Sequence, residues 1–167
     1  MQSHLKFLFR NSNLRKIFLF SLFTKIVLAF FIPVVGDESY YWVWGQNLQL
    51  SYFDHPAGVA WLTWISDKIN HFFPHTFMGL GLRLPFIFIS TMTFIIWLKN
   101  YLLVHEDNAK NVQYFAALYL LNPLRGIGGI FATPDVPLLF FWSLSFLSLL
   151  KIKSTQKTSW YALLGTS

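Results

Sequence analysis

Apolar residues in this chain fall into long runs separated by short polar stretches: Ile17–Val35, Leu84–Val104, Val112–Phe131 and Val136–Ile152, with another opening near Trp160. A helix that crosses a bilayer needs roughly 20 mostly apolar residues, so the pattern predicts four spans and the start of a fifth. The third is the weakest, because Asn122, Pro123 and Arg125 interrupt its far end. That end is expected to break or to line a cavity rather than lipid. The first run follows Lys6, Arg10, Arg15 and Lys16, as a signal peptide would. It is long, however, closes on bulky Pro33-Val34-Val35 without a small-residue cleavage site, and is followed by further spans. A retained anchor is expected.

Basic residues set the orientation. With the N-terminus in the cytoplasm, Lys6, Arg10, Arg15, Lys16, Lys99, Lys110, Lys151, Lys153 and Lys157 lie inside, against Lys68, Arg83 and Arg125 outside. Residues 36–83 then form a long external loop and residues 122–135 a second one on the same side. Within the first loop, Glu38–Leu48 and Ala57–Phe73 have helical character with aromatic faces, including Tyr40, Tyr41, Trp42 and Trp44 in one and Trp61, Trp64 and Phe72 in the other. Neither is long or apolar enough to span, and their Trp and Tyr content predicts helices lying in the membrane interface.

Composition agrees. The sequence is 54% hydrophobic, 20% aromatic and 12% charged, with a mean hydropathy of +0.46, which is too apolar for a soluble domain of this length. The net charge of +6 sits in short groups flanking apolar runs, so it is read as topology and not as a nucleic-acid surface. Cysteine is absent, which removes disulfides, thiolate chemistry and Cys-ligated metal.

The candidate chemistry lies in the loops. Of seven acidic residues, Asp37, Glu38, Asp54 and Asp135 all fall on the predicted external side. Asp37 and Glu38 are neighbours, and on a helix they point about 100° apart, so different roles are expected. Asp37 has an ordinary structural explanation as a helix cap, and a capping aspartate can also serve as a base. Asp54-His55, held before Pro56, can hold a metal or bind a phosphate; an isolated pair of this kind is more often structural. Asp135, between Pro134 and Pro137, suits a helix N-terminus by charge, or forms a second acidic lip of one cavity. Arg125 is the strongest phosphate candidate, because guanidinium matches phosphate oxygens bidentately. Arg83 has the look of an interfacial snorkelling residue, and Lys25 lies inside the first span, where ionisable groups face protein or a cavity. The stretch Arg125-Gly126-Ile127-Gly128-Gly129 lacks the strand and spacing of a dinucleotide fingerprint.

Four blocks in order, Asp37-Glu38-Ser39-Tyr40-Tyr41-Trp42, Tyr52-Phe53-Asp54-His55-Pro56, Arg83-Leu84-Pro85 and Thr133-Pro134-Asp135-Val136-Pro137-Leu138-Leu139-Phe140-Phe141, resemble the N-terminal part of bacterial glycosyltransferases related to protein O-mannosyltransferases and to the lipid A aminoarabinose transferase. The likeness runs from about Leu14 to Lys151. It implies an all-α, polytopic transmembrane helical bundle of the GT-C type, with residues 1–167 as the N-terminal part of the transmembrane domain. It also implies an inverting transfer of sugar from a polyprenyl-phosphate-linked donor to a cell-envelope or protein acceptor at a bacterial inner membrane. By this resemblance Asp37 matches the catalytic base and Asp135 the second-loop aspartate at the cavity rim. Asp54 and His55 match a pair that contacts the donor phosphate or a bound cation, and Glu38, Arg83 and Arg125 complete the expected donor-phosphate or substrate-binding set. No cofactor is required for the chemistry, with a divalent metal at Asp54 and His55 as an optional helper. Ala57-Gly58 departs from the second proline and leucine usual after Pro56. Family enzymes carry further spans and a C-terminal region, so a fragment of a longer enzyme is expected. The competing classes are a transporter or channel component, which would bury acidic groups at mid-membrane, and a non-catalytic adaptor that docks a partner through its aromatic loop.

Overall fold

The structure, a computed structural model, describes residues 11–72, 78–105 and 108–167. Lys6, Arg10 and Phe73, used above for orientation and for the end of the second loop helix, lie outside the described residues. Among those described, every regular element is helical: α1 Ser12–Phe31, α2 Gly36–Gln46, α3 Gly58–Asn70, α4 Met78–Val104, α5 Ala109–Leu120, α6 Asp135–Thr155 and α7 Thr158–Thr166. A π-helical turn, Pro123–Ile127, and a 3-10 turn, Gly128–Ile130, join α5 to α6.

Local sequence sets these boundaries. The Asn11 side chain accepts the Asn13 and Leu14 N–H groups at 3.2 Å and starts α1. Pro33 ends it, because the residue before proline is pushed out of the helical region; Ile32 is extended at φ −76°, ψ 125°. Helix α1 thus stops four residues before the expected Val35. The expected single run from Val112 to Phe131 is three pieces. Helix α5 has 12 residues, about 18 Å at 1.5 Å per residue, and the chain breaks at Asn122 and Pro123, the residues that had marked the interruption. Asn122 is extended, and its side-chain oxygen accepts the N–H groups of Leu124 and Arg125 at 2.9 and 3.0 Å, starting the π turn. Helix α6 tolerates Pro137 because the first turn has no intrahelical acceptor for its N–H.

Helices α4 and α6 are long and apolar enough to cross a membrane, while α1 passes that test only together with α2, from which it is bent by 86°. If α1 runs through the bilayer, α2 therefore lies nearly in its plane. The distribution of side chains also suits a lipid solvent. Phe20, Phe23, Phe88, Leu138 and Trp142 point outward, whereas Ser21, Lys25, Ser90, Thr93, Asn100, Ser143 and Ser148 are buried between helices. Small and polar groups are favoured at helix interfaces when the surroundings are as apolar as leucine. Asn100 bridges α4 to α6 by donating to the Ser143 carbonyl at 3.2 Å.

Helix α4 is the spine. It packs Phe94 and Leu98 against Leu14 of α1 and Val112 and Ala116 of α5. It packs Leu82 and Phe86 against Trp44 of α2, Val59 and Ala60 of α3 and Val136 of α6, and Ile87 against Ala29 and Ile130. Ser66 of α3 donates to the Leu82 carbonyl at 2.6 Å. These contacts fix the loop helices to the membrane helices and so fix the acidic residues they carry.

Candidate functional site

Glu38 and Arg83 are both fully buried and paired. Arg83 Nε and Nη2 donate to the two carboxylate oxygens of Glu38 at 2.9 and 2.5 Å. Its remaining donors reach the Ala29, Ile32 and Pro33 carbonyls at 3.1, 2.7 and 2.9 Å, which are left without intrahelical partners at the end of α1. Glu38 also accepts the Val35 N–H at 3.1 Å and the Ala132 N–H at 3.0 Å. The guanidinium stands 5.3 Å from the Phe131 ring centre. One ion pair therefore ties together the end of α1, the start of α2, the start of α4 and the approach to α6. Both residues are expected to bind substrate; in the structure their polar atoms are occupied inside the protein, and the burial of Arg83 excludes a snorkelling side chain.

Asp37 differs in every respect. Of the readings open for it, the cap of α2 does not hold, because the N-cap residue is Val35. Asp37 sits in the first turn, is exposed, and its carboxylate has no hydrogen bond or ion pair among the described residues. A free carboxylate at a helix N-terminus is stabilised as the anion by the helix dipole.

The loop between α2 and α3 folds back over α2. Tyr52 stacks on Trp44 with ring centres 4.5 Å apart and planes 5° apart. Its hydroxyl faces the Trp44 and Asn47 carbonyls at 2.9 and 2.8 Å and accepts the Gln49 N–H at 3.0 Å. The turn closes through Tyr52 N–H to the His55 carbonyl at 3.2 Å. This geometry delivers Asp54 to the Tyr40 hydroxyl, which donates to its Oδ2 at 2.7 Å, and lays the His55 ring against Tyr41, 5.8 Å between centres. The Tyr41 phenol is raised above its ordinary value, first by burial and then by the negative charges of Asp37, Asp54 and Asp135. Tyr41 thus feels the charge of three carboxylates that lie apart in sequence. The sequence presents Tyr40 and Tyr41 as an aromatic face; the hydrogen bond from Tyr40 to Asp54 and the charges acting on Tyr41 belong to the folded loop.

Beside this cluster is a cavity of about 290 Å³ whose lining includes Ser90, Tyr119, Arg125, Thr133 and Asp135. Arg125 is exposed, and its guanidinium has no ion-pair or hydrogen-bond partner among the described residues. Its position depends on Gly126. A Cβ there would lie 2.0 Å from the Leu120 carbonyl oxygen, so only glycine lets the π turn fold against the end of α5 and bring Arg125 to the cavity. Asp135 opens α6 with an exposed carboxylate. Of the expected site residues, Asp54 reaches Tyr40 and His55 reaches Tyr41, the charges of Asp37, Asp54 and Asp135 all act on Tyr41, and Arg125 shares a cavity with Asp135. Glu38 and Arg83 lie behind them in the protein.

Among the described residues no group of three or more His, Asp or Glu side chains could hold an ion. One Asp54 oxygen is already engaged by Tyr40.

The chain is 25% identical over 112 residues to the lipid A galacturonosyltransferase RgtD of Rhizobium johnstonii (strain DSM 114642 / LMG 32736 / 3841), a match covering 67% of this chain and 22% of that protein. The chain therefore spans about a fifth of the length of this curated relative. No solved structure matches it. The dolichyl-phosphate-mannose-protein mannosyltransferase family matches residues 54–167, a stretch that contains Asp54, His55, Arg83, Arg125 and Asp135 and begins after Asp37 and Glu38. That match takes in more than half of the sequence, and this membrane protein belongs to the dolichyl-phosphate-mannose-protein mannosyltransferase family.

Proposed function

We propose that this chain is the N-terminal part of a membrane glycosyltransferase that moves a sugar from a polyprenyl-phosphate-linked donor to a cell-envelope lipid, glycan or protein acceptor with inversion. The observation that carries the reading is the exposed carboxylate of Asp37, without a partner among the described residues, whose charge acts on Tyr41 together with those of Asp54 and Asp135, Asp135 lining a cavity with Arg125. The acceptor hydroxyl attacks the anomeric carbon, Asp37 takes its proton, and the bond from that carbon to the phosphate oxygen breaks. Polyprenyl phosphate leaves with the electron pair. General-base assistance of this kind contributes about 10²–10⁴-fold. Arg125, with His55 when charged, meets the negative charge on the departing phosphate, and Asp135 forms the opposite acidic lip. Chemistry at loops is also what a lipid-linked donor requires, since its phosphate sits at the interface and not within the hydrocarbon. On the positive-inside bias the loops face the periplasmic side of a bacterial inner membrane.

Transport is the weaker reading. Helices α1 and α4 contain no Asp or Glu, and α6 has only Asp135 at its first residue, so these three helices place no carboxylate at mid-membrane among the described residues. The deciding assay is transfer from a short-chain polyprenyl-phosphate sugar by the complete protein in liposomes, compared with Asp37→Asn. The rate is expected to fall by about 10²–10⁴ with the melting temperature unchanged. An undiminished rate removes Asp37 from the mechanism.

A further inference from the structure

Lys25 lies six residues before the end of α1 at Phe31 and is 3% exposed. Its ammonium donates to Ser90 Oγ of α4 at 3.0 Å, and among the described residues no carboxylate lies within ion-pair distance; the ion pairs found there are Lys68 with Asp67 and Arg83 with Glu38. An ammonium has three donors, and a buried charge with one hydroxyl partner is costly. A lysine that merely escaped the membrane would extend its stem toward water, whereas Lys25 points between helices at a cavity wall. Ser90 is part of that wall, together with Arg125, Gly128 and Gly129. The 3-10 turn leaves room here only because residue 129 has no side chain. A Cβ on Gly129 would lie 2.8 Å from Ser90 Cβ, 3.1 Å from Ser90 Oγ and 3.7 Å from Lys25 Nζ.

We infer that Lys25 is a positioning residue for the anionic group of the lipid-linked ligand, acting through Ser90, so that a phosphate in the cavity is held between Arg125 at the mouth and the Lys25–Ser90 pair behind it. Ser90 has one proton. It now donates to the Ile87 carbonyl at 3.1 Å while accepting from Lys25. Rotation about its side chain turns that proton into the cavity, and donation from Lys25 makes the hydroxyl a stronger donor, because linked hydrogen bonds polarise one another. The cation behind the wall supplies the charge that a neutral hydroxyl lacks. Only the source of the anion rests on the function proposed above.

The test is binding of a short-chain polyprenyl phosphate, the matching polyprenyl alcohol and inorganic phosphate to the complete protein in nanodiscs. Wild type is compared with Lys25→Met, Lys25→Arg and Ser90→Ala. Loss of a hydrogen bond to a charged group predicts at least about a ten-fold fall in affinity for the lipid phosphate in Lys25→Met, with the alcohol unaffected, a smaller fall in Ser90→Ala, and partial rescue in Lys25→Arg. A folded Lys25→Met with undiminished phosphate preference overturns the inference. If Lys25→Met does not fold, Ser90→Ala decides, and unchanged binding there overturns it as well. Inorganic phosphate bound as tightly as the lipid phosphate refutes the lipid source. A wild type that shows the preference for phosphate over alcohol but no sugar transfer leaves Lys25 in place and defeats the proposed reaction alone.

Discussion

Two adjacent carboxylates, Glu38 and Asp37, have opposite fates. Glu38 is sealed against Arg83 with four hydrogen bonds from protein donors, and Asp37, one residue earlier on α2, is exposed without any among the described residues. The roughly 100° between successive helix positions is enough to turn one inward to the α1–α4 junction and the other toward the loop. The same functional group is desolvated and matched at one position and wet and unmatched at the next, which is the contrast that the proposed division between a structural Glu38 and a proton-accepting Asp37 rests on.

The strongest way to break this contrast is to remove a partner from the buried side. Arg83→Leu leaves the Glu38 carboxylate uncompensated and three carbonyls at the end of α1 unsatisfied. A buried pair broken on one side costs about 3–5 kcal/mol. The purified protein in detergent should therefore lose much of its thermal stability, and activity should fall with the folded fraction. Asp37→Asn should do the reverse, lowering turnover and leaving stability intact. Equal melting temperatures for Arg83→Leu and wild type would show that the knot does not hold the four segments together.

A smaller effect separates the position of a charge from its presence. Gly126→Ala keeps Arg125 but puts a methyl group where the Leu120 carbonyl now lies. Overpacking of this kind costs about 1–3 kcal/mol, which the short π turn can relieve by shifting. The expected result is weaker binding of the polyprenyl phosphate with a nearly unchanged affinity for the matching alcohol. Binding equal to wild type would mean that Arg125 reaches the phosphate from any turn geometry, or does not reach it.

Much of the frame was legible in the sequence, because apolar runs, prolines and capping asparagines act locally. Pro33 ends α1, Asn122 and Pro123 break the third run, and both loop helices lie within two or three residues of their expected limits. The partners were not legible. Glu38 and Arg83 are 45 residues apart, and no periodicity links them; an arginine at the head of an apolar helix looks the same whether it snorkels or is buried. Asp37 has the residue type of a cap, yet α2 starts earlier, with Val35 at the N-cap position and Asp37 inside the first turn. The approach of Asp54 to Tyr40 and of His55 to Tyr41 goes with the Tyr52–Trp44 stack that folds the loop back, a contact that composition does not specify.

The finest test of the open side asks whether that loop is docked, through two tyrosines that sense different aspartates. Tyr40 is raised above its ordinary value chiefly by its hydrogen bond to Asp54, while Tyr41 is raised by burial and then by Asp37, Asp54 and Asp135. A phenol with a raised folded-state value favours the protonated form, so its contribution is fully present below the unfolded value of about 10 and is lost as pH rises through the higher folded value. Tyrosinate absorbance is the measurement, with Tyr40→Phe and Tyr41→Phe used to assign steps among the seven tyrosines. Asp54→Asn should bring Tyr40 down most and Tyr41 slightly, whereas Asp37→Asn should move Tyr41 alone. If Asp54→Asn leaves the Tyr40 step where it was, the loop does not close on α2, and the acidic cluster around Tyr41 reduces to Asp37 and Asp135.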